Sequence, residues 1–324
     1  MKKLLILFSL IFITSCSYIN EIRSDITGEV VVENIKMDSG SLEVYFCPRE
    51  NCENKMLDLI NSSEKIHCAL YELDLDYIIN ELEKKDYFLI VDDNSYKYVS
   101  SLNNVKQDNR SALMHNKFCI FDDETIITGS FNPKKSGLKN NNNFIIIKSK
   151  YLSENYEEEF QSFIRNEFGR DEEIKYPRII LNNKILIENY FCPEDNCEQH
   201  VYDTIKKAKN RIYFMAFSFT SDKLGDLIIE KSNETEVKGI FEKTQSTTSF
   251  SEYPKMIEKN LNVIHDKNPE FMHHKVFIVD DIVVLGSYNP TSSGNSKNDE
   301  NILIIYDKEL ADKFLGEFDY VWNL

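Results

Sequence analysis

The sequence predicts α/β layers built twice over, on three observations. Apolar β-branched runs alternate with amphipathic stretches along most of its 324 residues, the pattern of helices packed outside a mixed sheet. Met114-His115-Asn116-Lys117-Phe118-Cys119-Ile120-Phe121-Asp122 returns as Met272-His273-His274-Lys275-Val276-Phe277-Ile278-Val279-Asp280. Each copy then leads to a Gly-Ser-aromatic-Asn-Pro turn, Gly129–Pro133 and Gly286–Pro290. A lone His-x-Lys carries little information; two copies with matching tails point to one composite active site.

The elements follow in order. Lys2 and Lys3 precede an apolar run, Leu4 to Thr14, too short to span a bilayer, which reads as an export signal over residues 1–16. It closes on Ile13-Thr14-Ser15-Cys16, which resembles a lipobox and implies that Cys16 is lipidated and the chain is exported and held at the membrane. An ordinary cleaved signal with an incidental Cys is the other reading. Residues 17–40 read as a tether with one edge strand at Val30-Val31-Val32.

The first repeat spans residues 41–168 and the second 176–324, with a charged boundary over Glu167 to Lys175. Leu42 to Pro48 parallels Ile187 to Pro193, and each strand ends at a Cys-Pro turn. Helices over Asn54 to Asn61 and Glu198 to Ala208 follow, then apolar strands Ile66 to Tyr71 and Ile212 to Phe217. A further helix precedes Tyr87 to Val91 and Val237 to Phe241, and the His-Lys stretch comes next. Each half closes on a strand and a helix: Phe144 to Ile147 with Leu152 to Phe163, and Ile302 to Ile305 with Leu310 to Val321. The second half is longer between its Cys pair and its motif His. The excess falls around Glu242 to Tyr253, a Thr/Ser-rich run expected to form a loop over the cleft.

Charge and cysteine usage narrow the partners. A formal net charge of −16 repels polyanions at long range, which counts against general nucleic-acid binding while leaving room for a local basic cleft. Of seven Cys, Cys47 with Cys52 and Cys192 with Cys197 form Cys-x4-Cys pairs. A zinc reading lacks a nearby His pattern, so one local disulfide per repeat is expected in an exported chain. Cys68 and Cys119 lie in apolar runs and read as core thiols.

On a strand, residues two apart share a face, so His115 projects with Lys117 and His273 with Lys275, while His274 points the other way. Imidazole beside ammonium suits phosphate esters. The ring attacks phosphorus or protonates a leaving oxygen, and the ammonium neutralises non-bridging oxygens. Ser130, Asn132, Ser287 and Asn289 add neutral donors, and Asn143 and Asn301 are counted with them. Asp122 and Asp280 fall at strand ends, where a catalytic role and turn hydrogen bonding both fit; they are kept with the catalytic set. Lys134, Lys135, Lys139 and Lys297 stand just past the catalytic turns, able to hold an anion or simply to be solvated.

These paired His-x-Lys-x4-Asp motifs with Gly-Ser-x-Asn resemble the phospholipase D superfamily, over nearly all of residues 42–324. The resemblance implies two similar α/β/α sandwich domains with the site at their interface. It also implies phosphodiester cleavage without metal or other cofactor through a phosphohistidine, by a monomer whose two halves complete the site. The substrate is expected to be a phospholipid headgroup ester. A nuclease of the same superfamily and a non-catalytic surface-binding module are the alternatives. Family members carry an acidic residue behind the catalytic His. Glu300 lies 27 residues after His273, and the same offset from His115 reaches Asn142. Glu300 is therefore expected to back His273 and keep it protonated as the acid, leaving His115 the neutral nucleophile.

Overall fold

Strand β1 (Lys36–Asp38) opens the computed structural model, which describes residues 35–169 and 174–324. The signal with Cys16, the strand at Val30–Val32 and part of the 167–175 boundary lie outside the described residues. β1 falls inside the expected tether, yet it pairs in parallel with β9 (Arg178–Leu181), at the edge of the second half's sheet.

The first half then runs β2 (Ser41–Cys47), α1 (Cys52–Ser62), β3 (Lys65–Leu70), α2 (Asp76–Leu82), β4 (Asp86–Asp92), α3 (Asp93–Val99), β5 (Val105–Asp108), β6 (Lys117–Phe121), β7 (Thr125–Gly129), β8 (Asn142–Lys148) and α4 (Lys150–Ile164). The second continues with β10 (Ile185–Cys192), α5 (Cys197–Lys206), β11 (Arg211–Ala216), α6 (Asp222–Lys231), β12 (Glu236–Phe241), α7 (Glu252–Glu258), β13 (Asn262–His265), β14 (Lys275–Val279), β15 (Ile282–Gly286), α8 (Ser292–Ser296), β16 (Glu300–Tyr306) and α9 (Lys308–Trp322). The sheets have the same strand order, β2-β8-β7-β6-β3-β4-β5 and β10-β16-β15-β14-β11-β12-β13, the second extended by β9 and β1. The duplication read from the sequence is therefore a duplication of topology.

Alternation along the motif strands divides the core. Phe118 and Ile120 on β6, with Val276 and Ile278 on β14, join a central cluster that also takes Tyr156 and Phe160 of α4 and Phe314 and Phe318 of α9. Cys119 and Phe121 face the outer core of the first half; Phe277 and Val279 face that of the second. The two sheets thus sandwich α4 and α9, and residues 35–324 form one compact unit. Each central helix starts on a side-chain cap, Ser149 accepting from the Leu152 N–H and Asp307 from the Leu310 N–H.

Cys47–Cys52 and Cys192–Cys197 are disulfides, as expected. Cys68 and Cys119 correct the reading as core thiols. They stand directly opposite each other in the antiparallel β3–β6 pair, their Cα atoms 4.1 Å apart, and form a third disulfide inside the first outer core. The separate runs showed that both are buried but not that their registers coincide. The Glu242–Tyr253 stretch is a loop with one 3-10 turn that passes into α7. It leaves β12 where the Glu242 N–H meets the Ala216 carbonyl, and Ala216 pairs with Lys275, so it emerges at the end of the sheet that carries the His-Lys motif.

Candidate active site

Each motif histidine is hooked by the other half. The His115 N–H donates to the Asp299 carbonyl at 2.9 Å, and the Asp299 N–H returns a bond to Leu113. By pseudo-twofold symmetry, the His273 N–H donates to the Asn141 carbonyl at 2.8 Å, and the Asn141 N–H to Phe271. These are short parallel bridges, Met114 with Asp299 and Asn141 with Met272. The residue after each hook is the histidine's partner, so the partners cross between halves. His115 Nδ1 lies 2.7 Å from Glu300 Oε2, whereas His273 Nδ1 lies 2.9 Å from Asn142 Oδ1 and 3.0 Å from the Ser130 carbonyl. The expectation that Glu300 backs His273 is thereby overturned. The matched 27-residue offset gave the right residues and the wrong pairing, because it assumed that each half serves itself.

Glycine makes the turns possible. Gly129 and Gly286 have φ of +131° and +151°, and a Cβ on them would meet the carbonyl oxygens of Asn143 and Asn301 at 2.5 and 2.1 Å. The following serines then close on the partner strand, with Ser130 and Ser287 N–H groups donating to those same carbonyls at 3.1 Å. Ser130 Oγ also donates to Asn142 Oδ1 at 3.1 Å. Ser287 Oγ accepts from the Asn301 N–H at 3.0 Å.

Four basic groups share this buried space. Lys117 Nζ donates to its own half's His115 carbonyl at 2.6 Å, and Lys275 Nζ to the His273 carbonyl at 2.9 Å. Burial pushes His115 down to about 4; Glu300 opposes this and Lys117 adds to it. Burial pushes Lys117 down to about 7. His273 and Lys275 are both held well below their ordinary values, first by burial and then by positive neighbours: Lys275, Lys117 and His115 for the imidazole, Lys117 for the ammonium. Mutual depression across the halves means that both motifs converge on one site, whose chemistry calls for an anion.

The remaining residues divide. Asp122 and Asp280 do not join the site. Each stands past the far end of its five-residue strand, roughly 15 Å along from the lysine, in left-handed backbone. Asp122 accepts from the Glu64 and Lys65 N–H groups, and Asp280 from Lys209, Asn210 and Arg211, which pins the turns entering β3 and β11. Asn143 and Asn301 are fully buried in the interface. Asn301 Nδ2 donates to Asn116 Oδ1 at 2.6 Å, and Asn143 Nδ2 lies 3.1 Å from His274 Nδ1. Asn116 and His274 are the middle residues of the two His-x-Lys motifs, fully buried by the strand alternation. His274 Nε2 in turn meets Glu317, which pairs with Arg49. Asn132 donates to Glu72 at 2.9 Å; Asn289 holds the corresponding turn position. Lys134 pairs with Glu72 and Lys135 with Asp76, while Lys139 and Lys297 are exposed beside the site.

Sequence reasoning missed four participants. Tyr71 packs its ring 4.7 Å from that of His115, and Phe217 lies 4.6 Å from that of His273. Glu72 raises the affinity of both site lysines for their protons. Arg110 clamps Asp108 and Asp299, holding the hook of His115. Superposing the repeats would have shown an aromatic residue directly after β3 and β11; no sequence signal pointed to Arg110.

The family described as cardiolipin synthase, PLD-like domain matches residues 56–164 and 201–322, one segment in each half. A phospholipase D of Rickettsia bellii (strain RML369-C) is 28% identical over 144 residues, 44% of this chain and 72% of its own length. A mitochondrial cardiolipin hydrolase of Chlamydomonas reinhardtii is 28% identical over 143 residues, 41% of this chain and 64% of its own. The crystal structure of phosphatidylserine synthase from Haemophilus influenzae Rd KW20 superposes with a TM-score of 0.65 over 86% of this chain and 85% of that one; at 15% identity this likeness concerns the fold. With both halves matched and both His-Lys pairs brought to one interface, the chain belongs to the phospholipase D superfamily, as a PLD-like phosphodiesterase.

Proposed function

We propose that this chain is a phospholipase D-type phosphodiesterase that hydrolyses a phospholipid headgroup ester through a phosphohistidine on His115. The observation that carries the reading is the His115–Glu300 pair beside Lys117. An Nδ1–H donated to the carboxylate leaves the Nε2 lone pair free to attack phosphorus. The N-phosphorylated ring that results is cationic, and Glu300 is the carboxylate placed to balance it. Asn142 orients His273 without fixing charge on it, which suits a group that gives a proton to the leaving oxygen and then takes one from water. His115 thus keeps the role of nucleophile that the sequence suggested, for a different reason. Lys117 and Lys275 hold the non-bridging oxygens, and a phosphodiester supplies the negative charge that these crowded groups lack.

Lipid is favoured over nucleic acid by the acidic body and by relatives that bear phospholipase and cardiolipin hydrolase names. Export as a lipoprotein anchored through Cys16 would place the enzyme at that substrate, and three disulfides suit an oxidising compartment. A nuclease is the second reading, favoured by the exposed Lys139 and Lys297 beside the site. The test is to assay the purified chain with EDTA on phosphatidylcholine vesicles and on plasmid and single-stranded DNA, and to map the phosphoryl group after an acid-free quench. Choline release with phosphate on His115 is expected. DNA cleavage without choline release rejects the lipid reading, and a phosphoryl group on His273 rejects the assignment of roles.

A further inference from the structure

Pseudo-twofold symmetry runs past the histidines and their partners into the segments that carry the hooks. Asp108, Arg110, Leu113 and His115 stand in the first half where Asp266, Asn268, Phe271 and His273 stand in the second. The scaffold of the two arrangements is the same. Asp108 ends β5 and Asp266 follows β13, both buried, and the Oδ1 of each accepts the N–H of the residue two on, Arg110 at 3.1 Å and Asn268 at 3.0 Å. The Leu113 and Phe271 N–H groups donate to Asn298 Oδ1 and Asn140 Oδ1, at 3.2 and 3.3 Å. The side chains at the hooks differ. Arg110 donates to Asp108 through Nε and a terminal nitrogen, both at 2.9 Å, and ion-pairs with Asp299; Asn268 donates to Asn141 Oδ1 at 2.6 Å. With Glu300 standing against Asn142, an arginine and two carboxylates lie behind His115, and three asparagines behind His273.

We propose that Arg110 is a positioning residue for His115, acting through Asp299, and that its charge is required because the hook it holds carries two adjacent buried carboxylates. The inference rests on the reading of His115 as the nucleophile balanced by Glu300. Asp299 and Glu300 are consecutive and fully buried. Without a cation the two would repel, and desolvation would draw a proton onto one or press the segment toward water. Burial pushes the Asp299 carboxyl up to about 6, against the pull of Arg110. The guanidinium neutralises Asp299, so the negative charge that remains is that of Glu300, 2.7 Å from the His115 ring. Its planar fork is gripped by Asp108 and lies over the Phe168 ring at 3.9 Å, which fixes the cation itself. The His273 hook carries no carboxylate, and an asparagine suffices there.

Cancelling the two charges together tests this. With bis(4-nitrophenyl) phosphate as substrate, kcat and KM of the purified chain are compared for Arg110→Asn, Arg110→Lys and the double variant Arg110→Asn/Asp299→Asn, each assayed well below its unfolding midpoint. Arg110→Asn strands Asp299 beside Glu300 and should lower kcat by roughly 10- to 100-fold with little change in KM. The double variant reproduces the Asn268–Asn141 pair and should recover most of that loss, a recovery that lost packing alone would not give. Arg110→Lys keeps the charge without the two-nitrogen grip on Asp108 and should fall severalfold short of the wild type, which keeps the test open if Arg110→Asn does not fold. Wild-type kcat in Arg110→Asn or Arg110→Lys, or a double variant no faster than Arg110→Asn, overturns the inference. A wild-type phosphoryl group trapped on His273, or no release of nitrophenol, would instead reject the reading of the site on which it rests.

Discussion

The buried carboxylate of Glu300 lies 2.7 Å from the ring nitrogen of His115, a residue 185 positions earlier in the other half of the chain. Removing its charge while keeping its shape separates orientation from electrostatics. Glu300→Gln should retain the fold and lower turnover by roughly 10²- to 10⁴-fold, within the span attributed to acid–base groups. The loss should fall on kcat, since the carboxylate compensates charge that develops on the ring. A steady-state comparison that shows only a higher KM would count against that role.

Crowding of positive groups links stability to pH. Lys117 is pushed from 10.5 to about 7 by burial, so between these values the unfolded chain binds more protons than the folded one. This group's contribution therefore rises with pH across pH 7 to 9 and is lost as pH falls. Thermal unfolding should show such a rise in the wild type, and Lys117→Met should flatten it. Inorganic phosphate should raise the midpoint most at pH 7, where an anion favours the protonated lysine.

The Cys68–Cys119 bridge closes a loop of sequence separation 51, against 5 for each of the other two. Loop-closure entropy assigns it about 4 kcal/mol, and about 2 kcal/mol to a short one. Replacing both Cys68 and Cys119 by Ala should lower the denaturant midpoint more than replacing Cys47 and Cys52. Equal losses would mean that the long loop is already constrained in the unfolded chain.

Local pattern carried much of this architecture into the sequence. Strand periodicity, the doubled motif and the Gly-Ser turns placed the elements that were read to within a few residues, while β1, α3, β5, β9 and β13 went unread, and they put His115, Lys117, His273 and Lys275 on the correct faces. Relations between distant segments were not legible. The register that joins Cys68 to Cys119 depends on how β3 lies against β6. The exchange of Glu300 and Asn142 between histidines depends on backbone bridges that no offset within one repeat encodes. Asp122 and Asp280 share the motif because the turns before β3 and β11 need their oxygens, so regular spacing reported structure there and not chemistry.

Reciprocal hooking has a consequence for how the molecule could be divided. Two copies of the first half arranged about the same axis would each meet an asparagine behind the histidine, with no carboxylate in the site. Two copies of the second half would bring two glutamates, with twice the negative charge beneath the same phosphate. A neutral partner for one histidine and an anionic partner for the other arise when the unlike halves meet. The chain is in that sense an obligate heterodimer written as one polypeptide, in which each half's histidine is completed by its neighbour.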